Sequence, residues 1–179
     1  NNKKILVLFL LISLAHILIY KSINFEFIFI ISLLCLLSIK LYSKDLIKEN
    51  FKQSELLISL YVELGITKKL PFTQGYAASP DLLYTIKELI QRNNPKLILE
   101  AGSGVSTLIS SYSLKKYGDG KVISLDHEKY FANITKEEIK KHKLENYAEV
   151  VHAPLVDYKE KFFWYDIKTL ESIESIDLL

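Results

Sequence analysis

The chain has 179 residues, 49% of them hydrophobic and 25% charged, with a formal net charge of +2. That length suits one domain plus a further segment, and so balanced a charge argues against a nucleic-acid-binding protein driven by bulk electrostatics. The single cysteine, Cys35, excludes a disulfide framework and suits a reducing compartment.

Ile5 to Tyr20 contains no Asp, Glu, Lys or Arg, and neither does Phe27 to Ile39. At ~1.5 Å per helical residue the first run spans roughly 24 Å, against a bilayer core of ~30 Å. The second reaches a similar length if Phe25 and Tyr42 are included and Lys40 snorkels. The pattern predicts a transmembrane helical hairpin over residues 1–44, turning at Lys21-Ser22-Ile23-Asn24. A cleaved signal peptide would need a small-x-small site, which does not follow. A single interfacial helix would need a charged face, which neither run has. Burial in a soluble core would need covering elements, and the first 45 residues supply few. Lys3 and Lys4 precede the first run, Lys40, Lys44, Lys48 and Lys52 follow the second, and only Lys21 lies between. The positive-inside rule then places both ends, and all that follows, in the cytoplasm. His16 is an ionisable residue within the first span, where a neutral imidazole bonded to a neighbouring helix is the economical account.

Residues 45–70 read as an amphipathic helical connector, with Leu46, Ile47, Phe51, Leu56, Leu57, Leu60 and Tyr61 at approximate helical spacing among charges. Pro71 to Ala78 is a turn-rich break. Ser79-Pro80-Asp81 then supplies an N-cap, a proline at the first helical position and an acid in the first turn. The helix so begun carries Leu82, Leu83, Ile86, Leu89 and Ile90 and stops near Asn93-Asn94-Pro95.

Lys96-Leu97-Ile98-Leu99-Glu100-Ala101-Gly102-Ser103-Gly104-Val105 organises the remainder. A short apolar run ends in a carboxylate, passes two glycines one residue apart, and enters helical apolar spacing at Val105, Leu108, Ile109 and Tyr112. This reads as strand, glycine turn and helix, the nucleotide-binding opening of a βαβ unit. Glycines suit a tight turn and let a ligand approach the helix N-terminus. About twenty residues on, Lys121 to Leu125 forms a second strand that ends in Asp126, an acid placed to accept both hydroxyls of a ribose. A dinucleotide site usually carries a third glycine where this chain has Thr107, and Glu100 would oppose a pyrophosphate. The same carboxylate favours a cationic ligand, such as the amino group and sulfonium of S-adenosylmethionine.

At these residues the chain resembles the class I S-adenosylmethionine-dependent methyltransferases, whose first motif is E-x-G-x-G and whose second is an acid ending the next strand. Glu100-Ala101-Gly102-Ser103-Gly104 and Asp126 match both, and the resemblance extends over Pro71 to Leu179. It implies an α/β fold with a Rossmann-like, doubly wound, mostly parallel sheet, and S-adenosyl-L-methionine as cofactor. By the same resemblance Glu100 and the Gly102 to Gly104 backbone would hold the methionine part, Asp126 the ribose, and His127 and Ala153 the adenine surroundings. Gln74, Tyr76 and Ser79 are weaker candidates, since a segment before the first strand borders the cofactor in the family. No metal ligand set and no general base are assigned.

The second helix is expected to start after Asp126-His127 with Glu128, to bury Tyr130, Phe131 and Ile134, and to end among Lys140, Lys141 and Lys143. Ahead of it, Lys115-Lys116 and Gly118-Asp119-Gly120 close the first. A third strand, Ala148 to Val151, runs into His152-Ala153-Pro154, where His152 is either a ligand contact or a solvated loop residue. Lysines and glutamates alternate along the helices, so nucleic acid is not expected as a partner. Asn133-Ile134-Thr135 is a glycosylation pattern without consequence on a cytoplasmic helix. Phe162-Phe163-Trp164-Tyr165 falls in the connection after the third strand, as a substrate wall, a base-stacking surface or a packed loop. Ile176 to Leu179 opens a fourth strand, so the expected order is 3-2-1-4 with a crevice between strands 1 and 4.

The expected organisation is a membrane anchor over 1–44, a connector over 45–70 and the cofactor half of a longer methyltransferase over 71–179. The expected reaction is methyl transfer to a small-molecule or lipid-linked acceptor at the cytoplasmic face of a membrane. An NAD(P)-binding oxidoreductase and a non-catalytic membrane-anchored interaction module are the alternatives.

Overall fold

The computed structural model describes residues 2–19, 25–73, 75–158, 162–170, 173 and 175–179. The chain divides into two compact units, Asn1–Lys52 and Gln53–Leu179.

The first unit is helical. It contains α1 (Asn2–Ile19) and the opening of α2 (Phe25–Leu64). The expected turn at residues 21–24 lies outside the described residues. Most large apolar side chains from Val7 to Leu14 and from Phe27 to Tyr42 are more than half exposed, while Phe9, Ile28, Ile31 and Ile39 are half-buried. The hydroxyls of Ser32, Ser38 and Ser43 donate back to the carbonyls of Phe29, Leu34 and Ile39, at 2.8, 2.9 and 2.7 Å. These hydroxyls thus bond back onto their own helix. Among the described residues one helix, Phe27–Leu64, is long and apolar enough to cross a membrane. α2 passes residue 44 without a break, because Lys44 to Leu64 contains no proline or glycine to end it.

The second unit is a parallel sheet with helices on one face. Its elements are the end of α2, α3 (Pro80–Asn93), β1 (Leu97–Ala101), α4 (Val105–Tyr117), β2 (Lys121–Asp126), α5 (Lys129–His142), β3 (Ala148–His152), β4 (Leu155–Tyr158), β5 (Phe162–Tyr165) and a 3₁₀ turn at Ile167–Leu170. β1 pairs in parallel with β2, and β2 with β3. Leu178 adds a parallel bridge to Ile98 on the free edge of β1, with Leu99 N–H donating to Leu178 O at 2.9 Å. The spatial order is therefore 3-2-1 followed by the residues that open a fourth strand. Asp177 sets that junction: its carboxylate accepts from the N–H groups of Lys96 and Leu97 at 2.8 and 2.9 Å. Those bonds hold the Asp177 carboxyl below the usual range.

Alternation along the strands separates two cores. Ile98, Val122, Ala148 and Val150 face α3, α4, α5 and the end of α2, with Leu60, Leu83, Ile90, Leu108, Ile109 and Leu144 packed fully into that layer. Leu99, Leu125 and Ala153 face the other way, against Tyr165, Leu170 and Ile173. Each fully buried Leu or Ile contributes at most about 1.5–3 kcal/mol, so the helical layer dominates the stability of this unit. Between α2 and α3, the buried Lys87 ammonium pairs with Glu63 and, at 2.6 Å, with Glu88. It also stands 4.5 Å from the Tyr84 ring centroid.

Three expectations are corrected. α5 does not bury Tyr130, Phe131 and Ile134, which are 69%, 49% and 40% exposed; its buried stripe is Ala132, Thr135, Ile139 and His142. The small Ala132 and Thr135 let α5 approach the sheet more closely than the aromatic face would. Phe162 to Tyr165 is not an irregular connection but strand β5, antiparallel to β4 with Leu155 opposite Tyr165 and Val156 opposite Trp164. Ser79 occupies the N-cap position of α3 without a side-chain cap: its hydroxyl bonds Asp81 Oδ1 at 2.5 Å, and that oxygen accepts from Leu82 N–H at 2.9 Å.

Candidate functional site

Register brings the ends of three strands to one level. Glu100 lies opposite Ser124, Ala101 opposite Leu125, and Asp126 opposite His152. Gly102 N–H donates to Leu125 O at 2.8 Å, and Ala153 N–H to Asp126 O at 2.8 Å, so the chain leaving β1 and the chain leaving β3 are both tied to β2. The glycine turn crosses this level. Gly102 has φ +110°, a region that disfavours a side chain. Nothing lies within 4 Å of where a Cβ would stand at Gly102 or Gly104, so the turn presents open backbone at the start of α4.

The two carboxylates at this edge have different surroundings. Asp126 is 6% exposed; its Oδ2 accepts from Ser103 Oγ at 2.5 Å and its Oδ1 from Glu128 N–H at 3.0 Å. Ser103 Oγ is also 3.0 Å from Thr135 Oγ1, which fastens the glycine turn to α5. Glu100 turns beneath the turn. Its Oε2 accepts from Thr107 Oγ1 at 2.6 Å and from Ser124 Oγ at 2.5 Å, and Ser106 bonds the same carboxylate. Gly104 N–H donates to Thr107 Oγ1 at 3.1 Å, which connects Glu100 to the first turn of α4. Burial pushes the Glu100 carboxyl up; the three hydroxyl bonds oppose that, and the charge of Asp126 adds to it. Glu100 is therefore engaged by the hydroxyls of Ser106, Thr107 and Ser124, and Asp126 by the Ser103 hydroxyl and the Glu128 N–H.

The remaining predicted residues divide. Ala101 is exposed at the strand end, and Ala153 is fully buried behind Asp126. His127 is exposed and meets the Tyr165 ring edge-on, with centroids 6.3 Å apart. His152 ends β3 beside Asp126. Tyr76 projects fully into solvent, Ser79 is committed to Asp81, and Gln74 lies outside the described residues. Ala101, Gly102, Ser103, Gly104 and Asp126 thus share one edge with Ala153 and His127, and Tyr76 is not gathered by any contact there.

Ser106, Thr107, Ser124 and Thr135 join the site although sequence patterns do not single them out as contributors, and Tyr165 joins it from the aromatic run that reads as a substrate wall, a base-stacking surface or a packed loop. Thr107 was visible only as a departure from a glycine pattern, and Ser124 only as a hydroxyl inside an apolar strand. Thr135 reaches the site through packing with no sequence signal of that role, and the only signal for Tyr165 was its place in the aromatic run Phe162 to Tyr165.

No protein-family profile and no curated protein sequence matches the chain. Among solved structures it is similar to an O-methyltransferase from Bacillus cereus in complex with SAH, at 24% identity and TM-score 0.39, over 56% of this chain and 42% of that one. It is also similar to an SAH-bound Podospora anserina methyltransferase, PaMTH1, at 17% identity and TM-score 0.41, over 55% of this chain and 42% of that one. The chain thus spans less than half the length of either protein.

Proposed function

We propose that this chain binds S-adenosyl-L-methionine at the C-terminal edge of β1 and β2 and transfers its methyl group to an acceptor at the cytoplasmic face of a membrane. The observation that carries this reading is the buried Asp126 carboxylate, level with an open glycine turn, where strand order reverses between β1 and the chain at Leu178. When bound, the cofactor supplies an electrophilic methyl on a sulfonium. Asp126 accepts the ribose hydroxyls, the Gly102 to Gly104 backbone admits the amino-acid part, and His127 and Ala153 border the adenine. The paired negative charge of Glu100 and Asp126 suits a cation and disfavours a pyrophosphate. Catalysis then rests on holding acceptor and methyl in line.

The exposed apolar faces of α1 and α2, with the lysines that flank them, support a two-span anchor whose ends are cytoplasmic. That location favours a lipid-linked or envelope acceptor. Methylation of soluble acceptors only, with none in membrane extracts, would remove the lipid-linked assignment.

Calorimetric titration of the detergent-solubilised protein with S-adenosylhomocysteine and then NAD tests the cofactor. The expected result is saturable binding of the first alone, weakened about tenfold or more by Asp126→Ala, the size of a lost charge-assisted hydrogen bond. Binding of NAD alone would establish the oxidoreductase alternative, and binding of neither by folded protein would make the glycine turn purely structural and favour the interaction-module reading.

A further inference from the structure

Tyr165 lies outside the glycine motif and outside both strand-end acids, yet the hairpin carries it to the same edge. Its ring packs on the cluster of Leu99, Leu125 and Ala153, the last residues of the sheet's sparsely covered face. It meets His127 edge-on, and its neighbour Trp164 stands 5.6 Å away, also edge-on. The hairpin is pinned beside the end of β3, where Asp166 N–H donates to Pro154 O at 3.0 Å. Burial pushes the Tyr165 phenol up, and the negative charges of Asp126 and Glu100 push it further the same way. The phenol is therefore a protonated donor within the field of both carboxylates.

That chemistry complements Asp126. An ionised carboxylate only accepts hydrogen bonds, whereas each hydroxyl of a vicinal diol both donates and accepts. A diol held by Asp126 leaves oxygen lone pairs that call for a donor, and the edge described so far offers few. We propose that Tyr165 is a further cofactor-contacting residue, closing the nucleoside side of the crevice with His127 and donating its hydroxyl to the ribose that Asp126 holds. This rests on the methyltransferase reading above.

The test is S-adenosylhomocysteine and adenosine affinity, by calorimetry, of the solubilised full chain and its Tyr165→Phe, Tyr165→Leu and Asp126→Ala variants. Trp164, the chain's single tryptophan, gives a second readout through its emission. Leucine retains apolar packing on Leu99 and Leu125 but removes the ring and hydroxyl; phenylalanine removes the hydroxyl alone. The expected result is a loss of several-fold for Tyr165→Phe and tenfold or more for Tyr165→Leu. Both ligands should lose the same factor, because the contact is to the nucleoside they share. Trp164 emission should change on titration and saturate with the calorimetric isotherm.

A residue that only supports the hairpin would lower the melting temperature of the unliganded variants and leave the affinity of the folded fraction unchanged. That outcome overturns the assignment. Wild-type binding with an unaffected Tyr165→Leu variant overturns this inference and leaves the methyltransferase reading standing. Wild-type protein that binds neither ligand overturns both.

Discussion

Ser103 Oγ donates to Asp126 Oδ2 at 2.5 Å, so a residue of the glycine turn holds the carboxylate at the end of the neighbouring strand. The same hydroxyl reaches Thr135 Oγ1 on α5, which makes Ser103 the junction of turn, strand and helix. Its removal leaves a buried carboxylate oxygen short of a donor. Ser103→Ala is expected to destabilise the protein by about 1–3 kcal/mol. Thr135→Ala, which leaves the Asp126 bond in place, should cost about 1 kcal/mol. Urea denaturation of both variants checks the ranking, and equal losses would show that Ser103 does not act through Asp126.

Glu100 and its hydroxyls predict a pH dependence of one sign. Burial raises the folded carboxyl above its ordinary 4.5, so the folded state holds the proton more tightly than the unfolded state does. Stability from this group is present below pH 4.5 and is lost as pH rises from there through the folded value. Glu100→Gln removes that dependence while keeping the shape. The difference in unfolding free energy between wild type and Glu100→Gln should therefore move against wild type between pH 4.5 and neutrality. A constant difference would mean that Glu100 is not desolvated.

His142 predicts the opposite sign. Its buried ring has Nδ1 2.8 Å from Tyr112 OH, while Nε2 is 3.4 Å from Glu138 Oε2 without a hydrogen bond. Burial lowers the imidazole below 6.5; Glu138 opposes this and the charges of Lys141 and Lys68 add to it. The folded state binds the proton less tightly, so stability from His142 is present above pH 6.5 and is lost as pH falls through the folded value. His142→Phe should unfold more easily at pH 8 but show a shallower loss on acidification. Parallel profiles for the two proteins would refute the assignment.

Two glycines predict two kinds of cost. At Gly120 an added Cβ would stand 2.1 Å from Pro95 O and 2.8 Å from Lys96 O, both backbone atoms of the segment entering β1. Gly120→Ala is therefore expected to cost about 1–3 kcal/mol or more by overpacking. At Gly102 nothing obstructs a methyl, and the cost of Gly102→Ala is backbone strain of about 1–3 kcal/mol together with weaker S-adenosylhomocysteine binding. Thermal unfolding with and without that ligand separates the two: ligand should stabilise Gly120→Ala normally and Gly102→Ala less.

What the sequence by itself determined was set by local chemistry. The apolar run Leu97 to Leu99, the turn at Gly102 and Gly104, the acid ending Lys121 to Asp126, and Asn94 and Gly118 just past two helices each act within a few residues. The order 3-2-1 with Leu178 joining β1 followed from the alternation of strands and helices. Tertiary structure alone decided which stripe of α5 is buried, because helical spacing permits several stripes and only the closeness of Ser103 and the sheet selects Ala132 and Thr135 over Phe131. It likewise decided the direction of Glu100, whose hydroxyl partners come from β2 and α4, up to 24 residues away in sequence. The β4–β5 hairpin has the same origin: Phe162 to Tyr165 becomes a strand because Leu155 to Tyr158 lies opposite, a pairing that no residue within the run encodes. Periodicity reports that a face exists; the partner that covers it is a property of the whole chain.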